Sequence, residues 1–285
     1  MPLVTNLIDD KSPLIQYDST WIPGNSMGDP YADRYYLGTF STNNVTNGQA
    51  SFSFNGTGVW IYGAKRSNHA TYYYVQLDDV TWGPYNGVST TQAFMQPIFN
   101  DSGLTQQMHT LTLTNQGSGS NNYVDIDLIV WQSEVGNSDQ QVIRETVQDT
   151  DSRFQYHNSA WNSSPSDAKF YSNGTGHYTE VDGAAVTLTF TGEMVTLFGA
   201  IGTSNGLYSV QLDGGNATQY NGTAFLPFYG VTLFHADNLG SGQHQVTLTN
   251  TASVTGQQLS IDYAIVSTLS DDTSRSVPRF LEHPL

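Results

Sequence analysis

The chain has 285 residues, of which 12% are charged and none is cysteine, and its formal net charge is −16. Nine Lys plus Arg scattered along an acidic chain leave no basic stripe for nucleic acid or anionic lipid, and the absence of Cys removes disulfides and thiolate chemistry. No apolar run approaches the ~18–20 residues that span a bilayer, so no membrane insertion is expected.

Thr, Ser, Asn, Gly and Tyr are abundant while helix-filling runs of Ala, Glu, Lys and Leu are scarce, which predicts an all-β protein. The opening "MPLVTNLIDD" lacks the charged and apolar regions of a signal peptide. A secreted or cell-surface protein whose leader is absent from this chain and a cytoplasmic one both fit. Seven N-x-S/T sequons, slightly above chance, lean towards the former.

In chain order, acids at Asp9 and Asp10 are followed by "IQYDSTW" (15–21), an alternating strand "FSFNGTGVWIYGA" (52–64), "YYYVQLDD" (72–79), "TWGPYNG" (81–87), "HTLTLTN" (109–115) and "VDIDLIV" (124–130). All of these recur. At an offset of 135, "LYSVQLDG" (207–214), a second "YNG" (220–222), "HQVTLTN" (244–250) and "IDYAI" (261–265) fall into register. With one residue of slip, "LTFTGEMVTLFGA" (188–200) matches 52–64. A register this long requires a tandem duplication. It divides the chain into a first domain over 1–132, a polar linker over 133–146, a second domain over 147–267 and a tail over 268–285.

Within each copy the apolar period is two. Phe52 and Phe54, then Leu188 and Phe190, share a face, as do Leu111 and Leu113, then Val246 and Leu248. In "VDIDLIV" the core set is read as Val124, Ile126, Leu128 and Val130, with Asp127 on the other face. About eight such strands per copy, parted by Gly, Asn, Asp and Pro clusters, make two tandem antiparallel β-sandwiches.

The acidic opening, "F.F.GTGVWIYGA", "YxVQLD", "HTLTLTN" and the closing "IDLIV" together resemble the galactose-binding-like jelly-roll domains of carbohydrate-binding modules. The closest likeness is to tandem versions in secreted or surface proteins of mushroom-forming fungi. The resemblance covers almost the whole chain and implies a jelly roll, and more loosely carbohydrate binding.

Several residues are candidates for chemistry. The V-Q-L-D acids, Asp78 and Asp213, end alternating strands and read as turn residues. His109 and His244 open equivalent strands and read as structural, since no G-x-S-x-G elbow or H-E-x-x-H accompanies them. Asp10 and Asp127, with Asp149 and Asp262, stand at the first and last strands of each copy, where a jelly roll brings them together. In the resembling modules a structural calcium sits near the joined termini, and these four acids are its candidate ligands.

The strongest binding signal is aromatic: five Trp, 17 Tyr and 13 Phe. Trp82, Tyr85 and Asn86 in the first copy, and Tyr220, Asn221, Phe228 and Tyr229 in the second, fall in loop-like stretches. There, ring faces stack on sugars and amides meet hydroxyls. Trp21 and Trp161 read instead as core anchors, and pinning of a turn is the competing role for Tyr85 and Tyr220. The expected function is non-catalytic, lectin-like glycan binding. A hydrolase or lyase with an acid pair between the copies is the enzyme alternative, but no catalytic residue stands out; a self-assembling surface protein is the third.

Overall fold

The computed structural model describes residues 1–25, 28–157 and 159–271, and is almost entirely antiparallel β-structure. A seven-stranded sheet runs in the order Leu3–Asp9, Leu128–Glu134, Gln49–Lys65, Ala93–Asn115, Tyr73–Leu77 and Val80–Tyr85, with Gln16–Tyr17 also paired to Gln49–Lys65. A three-stranded sheet, Trp21–Asn25, Thr39–Asn43 and Val124–Ile126, completes the first copy.

The second copy has two five-stranded sheets. One orders Gln140–Gln148, Leu259–Asp271, Met194–Ile201 and Phe228–Ala236, with His177–Thr179 on Leu259–Asp271. The other orders Phe154–Tyr156, Ala185–Thr191, Gln243–Asn250, Leu207–Leu212 and Thr218–Asn221. The strand Gln49–Lys65 corresponds to two strands of the second copy, Ala185–Thr191 and Met194–Ile201. Its ladder slips between Gly56 and Gly58, where the glycines let the backbone bend from one layer to the other.

Each copy fills its own core. Phe52, Phe54, Leu111 and Leu113 are buried in the first with Ile61 and Val75. Leu188, Phe190, Val246 and Leu248 are buried in the second with Leu197 and Ile261. Burying one such side chain contributes about 1.5–3 kcal/mol. Trp21 and Trp161 pack against these cores, each beside a tyrosine ring at 5.0 and 5.1 Å.

Two expectations are corrected. Residues 133–146 are no free linker: Ser133 and Val135 are fully buried, Val135 joins Val4 and Met194 in an apolar cluster, and Gln140–Gln148 pairs along its whole length with Leu259–Asp271. An exposed edge strand needs little apolar alternation, which hid it. Residues 268–271 belong to that same last strand, and 272–285, read as tail, lie outside the described residues.

The second correction is in "VDIDLIV". Val124 and Ile126 face the core, but beyond Asp127 the phase shifts and Ile129 and Trp131, not Leu128 and Val130, enter it. The second copy shifts identically at Asp262, where the pairing jumps from Tyr263 to Ile261. This bulge is what buries both aspartates. Among the described residues no helix is long and apolar enough to cross a membrane.

Candidate functional site

The duplication acts as an internal control, because a feature kept in both copies belongs to the scaffold. The hydroxyl of Tyr73 donates to Ile98 O at 2.8 Å, and that of Tyr208 to Leu233 O at 2.8 Å. Asp78 and Asp213 adopt φ of 52° and 49°, the left-handed turn conformation that Asp tolerates better than most residues. Their carboxylates hold His109 and His244, each at 2.7 Å, and accept the amides of Thr110 and Gln245. The bond from His109, then that from Thr110, keeps the Asp78 carboxyl below its ordinary range. The V-Q-L-D aspartates are thus hairpin clamps.

The four acids expected to bind calcium do meet at the joined first and last strands, with the amides of Asp10 and Asp149 donating to Asp127 O and Asp262 O at 3.0 and 3.1 Å. Their side chains are engaged by protein donors. Asp10 accepts Thr39 Oγ1 at 2.8 Å and Ser41 Oγ at 2.7 Å and pairs with Lys11 Nζ. Asp149 accepts Thr175 Oγ1 and faces His177 Nδ1, both at 2.6 Å. Lys11 and His177 occupy the places where a cation would have to stand.

Asp127 and Asp262 tie down the short 3₁₀ loops by accepting the amides of Tyr36 and Ser172. Burial, ahead of neighbouring charge, pushes Asp127 up to about 7 and Asp262 to about 6. Asp9 rises to about 8 for the same first reason, with Asp10 adding to it. Asp9 Oδ1 and Asp127 Oδ2 are buried without a hydrogen-bond partner, and burial favours the protonated form of both carboxyls. Among the described residues no three His, Cys, Asp or Glu side chains are grouped to hold a metal ion.

The predicted aromatic loops separate. Trp82 is 43% exposed on the edge strand Val80–Tyr85. Tyr85 and Tyr220 stack on Tyr73 and Tyr208 at 5.5 and 5.6 Å, and Asn86 and Asn221 accept the amides of Val88 and Thr223, so both Y-N-G stretches are pinned turns. Their surroundings differ: Tyr220 and Asn221 face the first copy across a cleft, one that Tyr85 and Asn86 do not line. Phe228 packs beside Phe225 at 5.6 Å. Tyr229 stacks on Phe170 at 4.9 Å, and its hydroxyl donates to Asp167 at 2.6 Å.

One cluster has no counterpart in the other copy. Asp125, 1% exposed, accepts the Tyr35 hydroxyl at 2.5 Å, the Ala64 amide at 2.6 Å and His69 Nε2 at 2.9 Å. Arg66 lies beside it, 3.5 Å from the Tyr35 oxygen, and forms an ion pair with Asp29 at 2.6 Å. Burial alone would raise the Asp29 carboxyl, but Arg66 and the Tyr31 amide outweigh it and hold it low. Burial, reinforced by the charge of Asp125, pushes the Tyr35 phenol well above its ordinary value, so it remains a donor.

Asp125, His69, Arg66 and Asp29 of this cluster line a loop-end cavity of about 320 Å³, together with Ile22, Pro23, Thr42, Asn68 and Tyr123. Ile22 and Pro23 offer an apolar wall, while Thr42, Asn68 and Tyr123 bring hydroxyl and amide groups. In the second copy Ser260 stands for Asp125, Asn205 for His69 and Gly202 for Arg66, with Asn205 Nδ2 donating to Ser260 Oγ at 3.2 Å. The scaffold therefore closes without charge. Buried ionisable groups that the fold does not require make this cavity a candidate functional site. Sequence reasoning passed over these residues because 56 positions separate His69 from Asp125; the detectable signal was a charge in one copy facing a neutral residue in the other.

The fold and site define an antiparallel, internally duplicated β-sandwich protein with a polar pocket in its first copy. No family model matches the chain. It is 26% identical over 255 residues to the A type blood alpha-D-galactosamine galactosaminidase of Flavonifractor plautii, a match covering 86% of this chain and 21% of that enzyme. The chain thus spans about a fifth of the length of this curated relative. Among solved structures it is similar to a family two carbohydrate esterase from Cellvibrio japonicus, at 12% identity, 45% and 34% coverage of the two chains and a TM-score of 0.32. It is also similar to the CBM36-1 domain of a multidomain xylanase from the hindgut metagenome of Trinervitermes trinervoides, at 17% identity, 44% and 96% coverage and a TM-score of 0.29.

Proposed function

We propose that this protein is a non-catalytic glycan-binding module whose primary sugar site is the first-copy loop pocket. The observation that carries this reading is the buried Asp125–His69–Tyr35 cluster with the Arg66–Asp29 pair. Asp125, with Tyr35 bonded to it, and His69, Arg66 and Asp29 line a cavity of about 320 Å³ through the four charged or imidazole side chains, inside the ~300–1,000 Å³ range of small-ligand sites, and the second copy dispenses with this cluster. A rigid polar floor with an apolar wall suits a sugar ring, which presents hydroxyls on its edge and C–H groups on its face. The carbohydrate-acting relative supports the same class of ligand. The Y-N-G loops, pinned by their own turns, move from primary site to scaffold in this reading.

A hydrolase would need two carboxyls facing each other roughly 5–10 Å apart across a groove. Among the described residues, three of the clefts between the copies carry one aspartate each, Asp9, Asp10 and Asp237, the last two already bonded to Lys11 and Ser133 respectively. That arrangement favours binding over hydrolysis.

The test is a glycan array probed with the parent and with the double variant Asp125→Ser/His69→Asn, which converts the first pocket to the second copy's solution. Binding by the parent that the double variant loses is expected. No binding across a broad array, or a variant indistinguishable from the parent, overturns the reading.

A further inference from the structure

The copies are docked by polar bonds as well as apolar contact. Ser12 Oγ donates to Thr232 O at 2.8 Å, Ser133 Oγ to Asp237 Oδ2 at 2.6 Å, and Trp131 meets the His235 ring edge-on at 5.1 Å. Beside this seam two cavities open, of about 600 and 720 Å³. Both are lined by Gln16 of the first copy and Tyr220 of the second, so the two cavities adjoin along the seam.

In the first compartment Trp21 and Pro23 stand opposite Tyr220, Asn221 and Phe225. In the second, Ser51, Ser53 and Asn55 stand opposite Asn216 and Thr218. The charged lining residues are few and satisfied: Asp10 by Lys11 in one, and Asp237 by Ser133 with His235 at 3.4 Å in the other. What remains is aromatic surface with neutral amides and hydroxyls. Asn221 spends its Oδ1 on the Thr223 amide and keeps its NH₂ donors for a ligand. The exposed Gln16 side chain lies where the two compartments join.

We infer that this groove is a second carbohydrate site, for an uncharged oligosaccharide or an internal run of a neutral polysaccharide; the inference rests on the glycan reading above. Each compartment by itself falls in the ~300–1,000 Å³ range that encloses a whole small ligand, so the groove takes several sugar units in line. The neutral lining, within a chain of net charge −16, selects against anionic chains. Neither copy makes the site alone: one wall comes from each, so the duplication produces a surface that a single copy lacks.

The test is calorimetric titration with neutral mono-, tri- and hexasaccharides of the gluco-, manno-, xylo- and galacto-series, and with a galacturonate hexasaccharide. The proteins are the parent, Thr218→Trp, which fills the second compartment from an exposed strand position, and Gln16→Ala, which removes an amide without adding bulk. The parent is expected to bind a neutral hexasaccharide at least ~10-fold more tightly than the matching monosaccharide. Both variants should lose that gain while keeping monosaccharide affinity and an unchanged circular dichroism spectrum. Absence of a length gain, a gain that survives in both variants, or preference for the galacturonate chain overturns the groove site and leaves the loop pocket standing. Failure of every saccharide to bind overturns the glycan reading and the groove with it.

Discussion

The buried pair Asp125–His69 offers a quantitative test of the claim that the fold tolerates its loss but not its halving. His69→Asn alone disturbs the hydrogen bond that the imidazole makes to a carboxylate that is 1% exposed, at about 1–3 kcal/mol for a buried polar partner lost. Asp125→Ser alone disturbs the acceptor of the Tyr35 hydroxyl, the Ala64 amide and His69, at about 1–3 kcal/mol for each buried donor left unmet. The double variant recreates Asn205–Ser260, which the second copy already holds together at 3.2 Å, and its expected cost is about 1 kcal/mol or less. Urea unfolding followed by tryptophan fluorescence reports chiefly on the first copy, which carries four of the five tryptophans. A double-mutant cycle should give a coupling energy of at least about 1 kcal/mol. Single effects that simply add would refute the idea that the second copy is a charge-free version of the same site.

Three further outcomes are expected. Asp262→Asn keeps an acceptor for the Ser172 amide and removes a carboxyl that burial raises from 3.8 to about 6. The raised group contributes stability that is full below about pH 4 and lost as the pH climbs through 6, so the variant should gain up to about 3 kcal/mol on the parent between pH 4 and 8. An identical pH slope for both proteins in urea titrations would exclude this. Lys11→Met leaves Asp10 buried without its cation and should cost about 3–5 kcal/mol in the urea midpoint, most of it recovered by Asp10→Asn in the same chain. Asp78→Ala keeps an unfavourable φ of 52° and loses the clamp on His109, for a loss of about 1–2 kcal/mol with no change on the glycan array. Altered glycan binding in that variant would return the V-Q-L-D acid to the list of functional residues.

Much of the architecture was legible because it repeats. Alternating Phe52, Phe54, Leu111 and Leu113 and their second-copy partners gave the core faces directly, and Asp78 and Asp213 announced turns through their place at strand ends. The strand Gln140–Gln148 was not legible, since an edge strand with a largely exposed face carries no period. Nor was the phase shift at Asp127 and Asp262, because a bulge is invisible to a rule that assumes strict alternation. The candidate-site residues Arg66, His69 and Asp125 come from a loop and a strand brought together only by folding. The cleft around Tyr220 depends on how the copies dock, and each half read by itself is silent about that.

The way each copy neutralises its buried opening aspartate limits how the two can be exchanged. Lys11, next in sequence to Asp10, does this in the first copy; the second has Thr150 there and supplies His177 from the strand across, where the first copy has Ser41. A chimera joining the first copy's opening strand to the second copy's body would set two basic groups on one carboxylate. The reciprocal chimera would leave a fully enclosed carboxylate with hydroxyls alone. The halves descend from one sequence and keep one outline, yet each satisfies its opening aspartate with a different partner, so exchanging the opening strands between them is expected to destabilise both products.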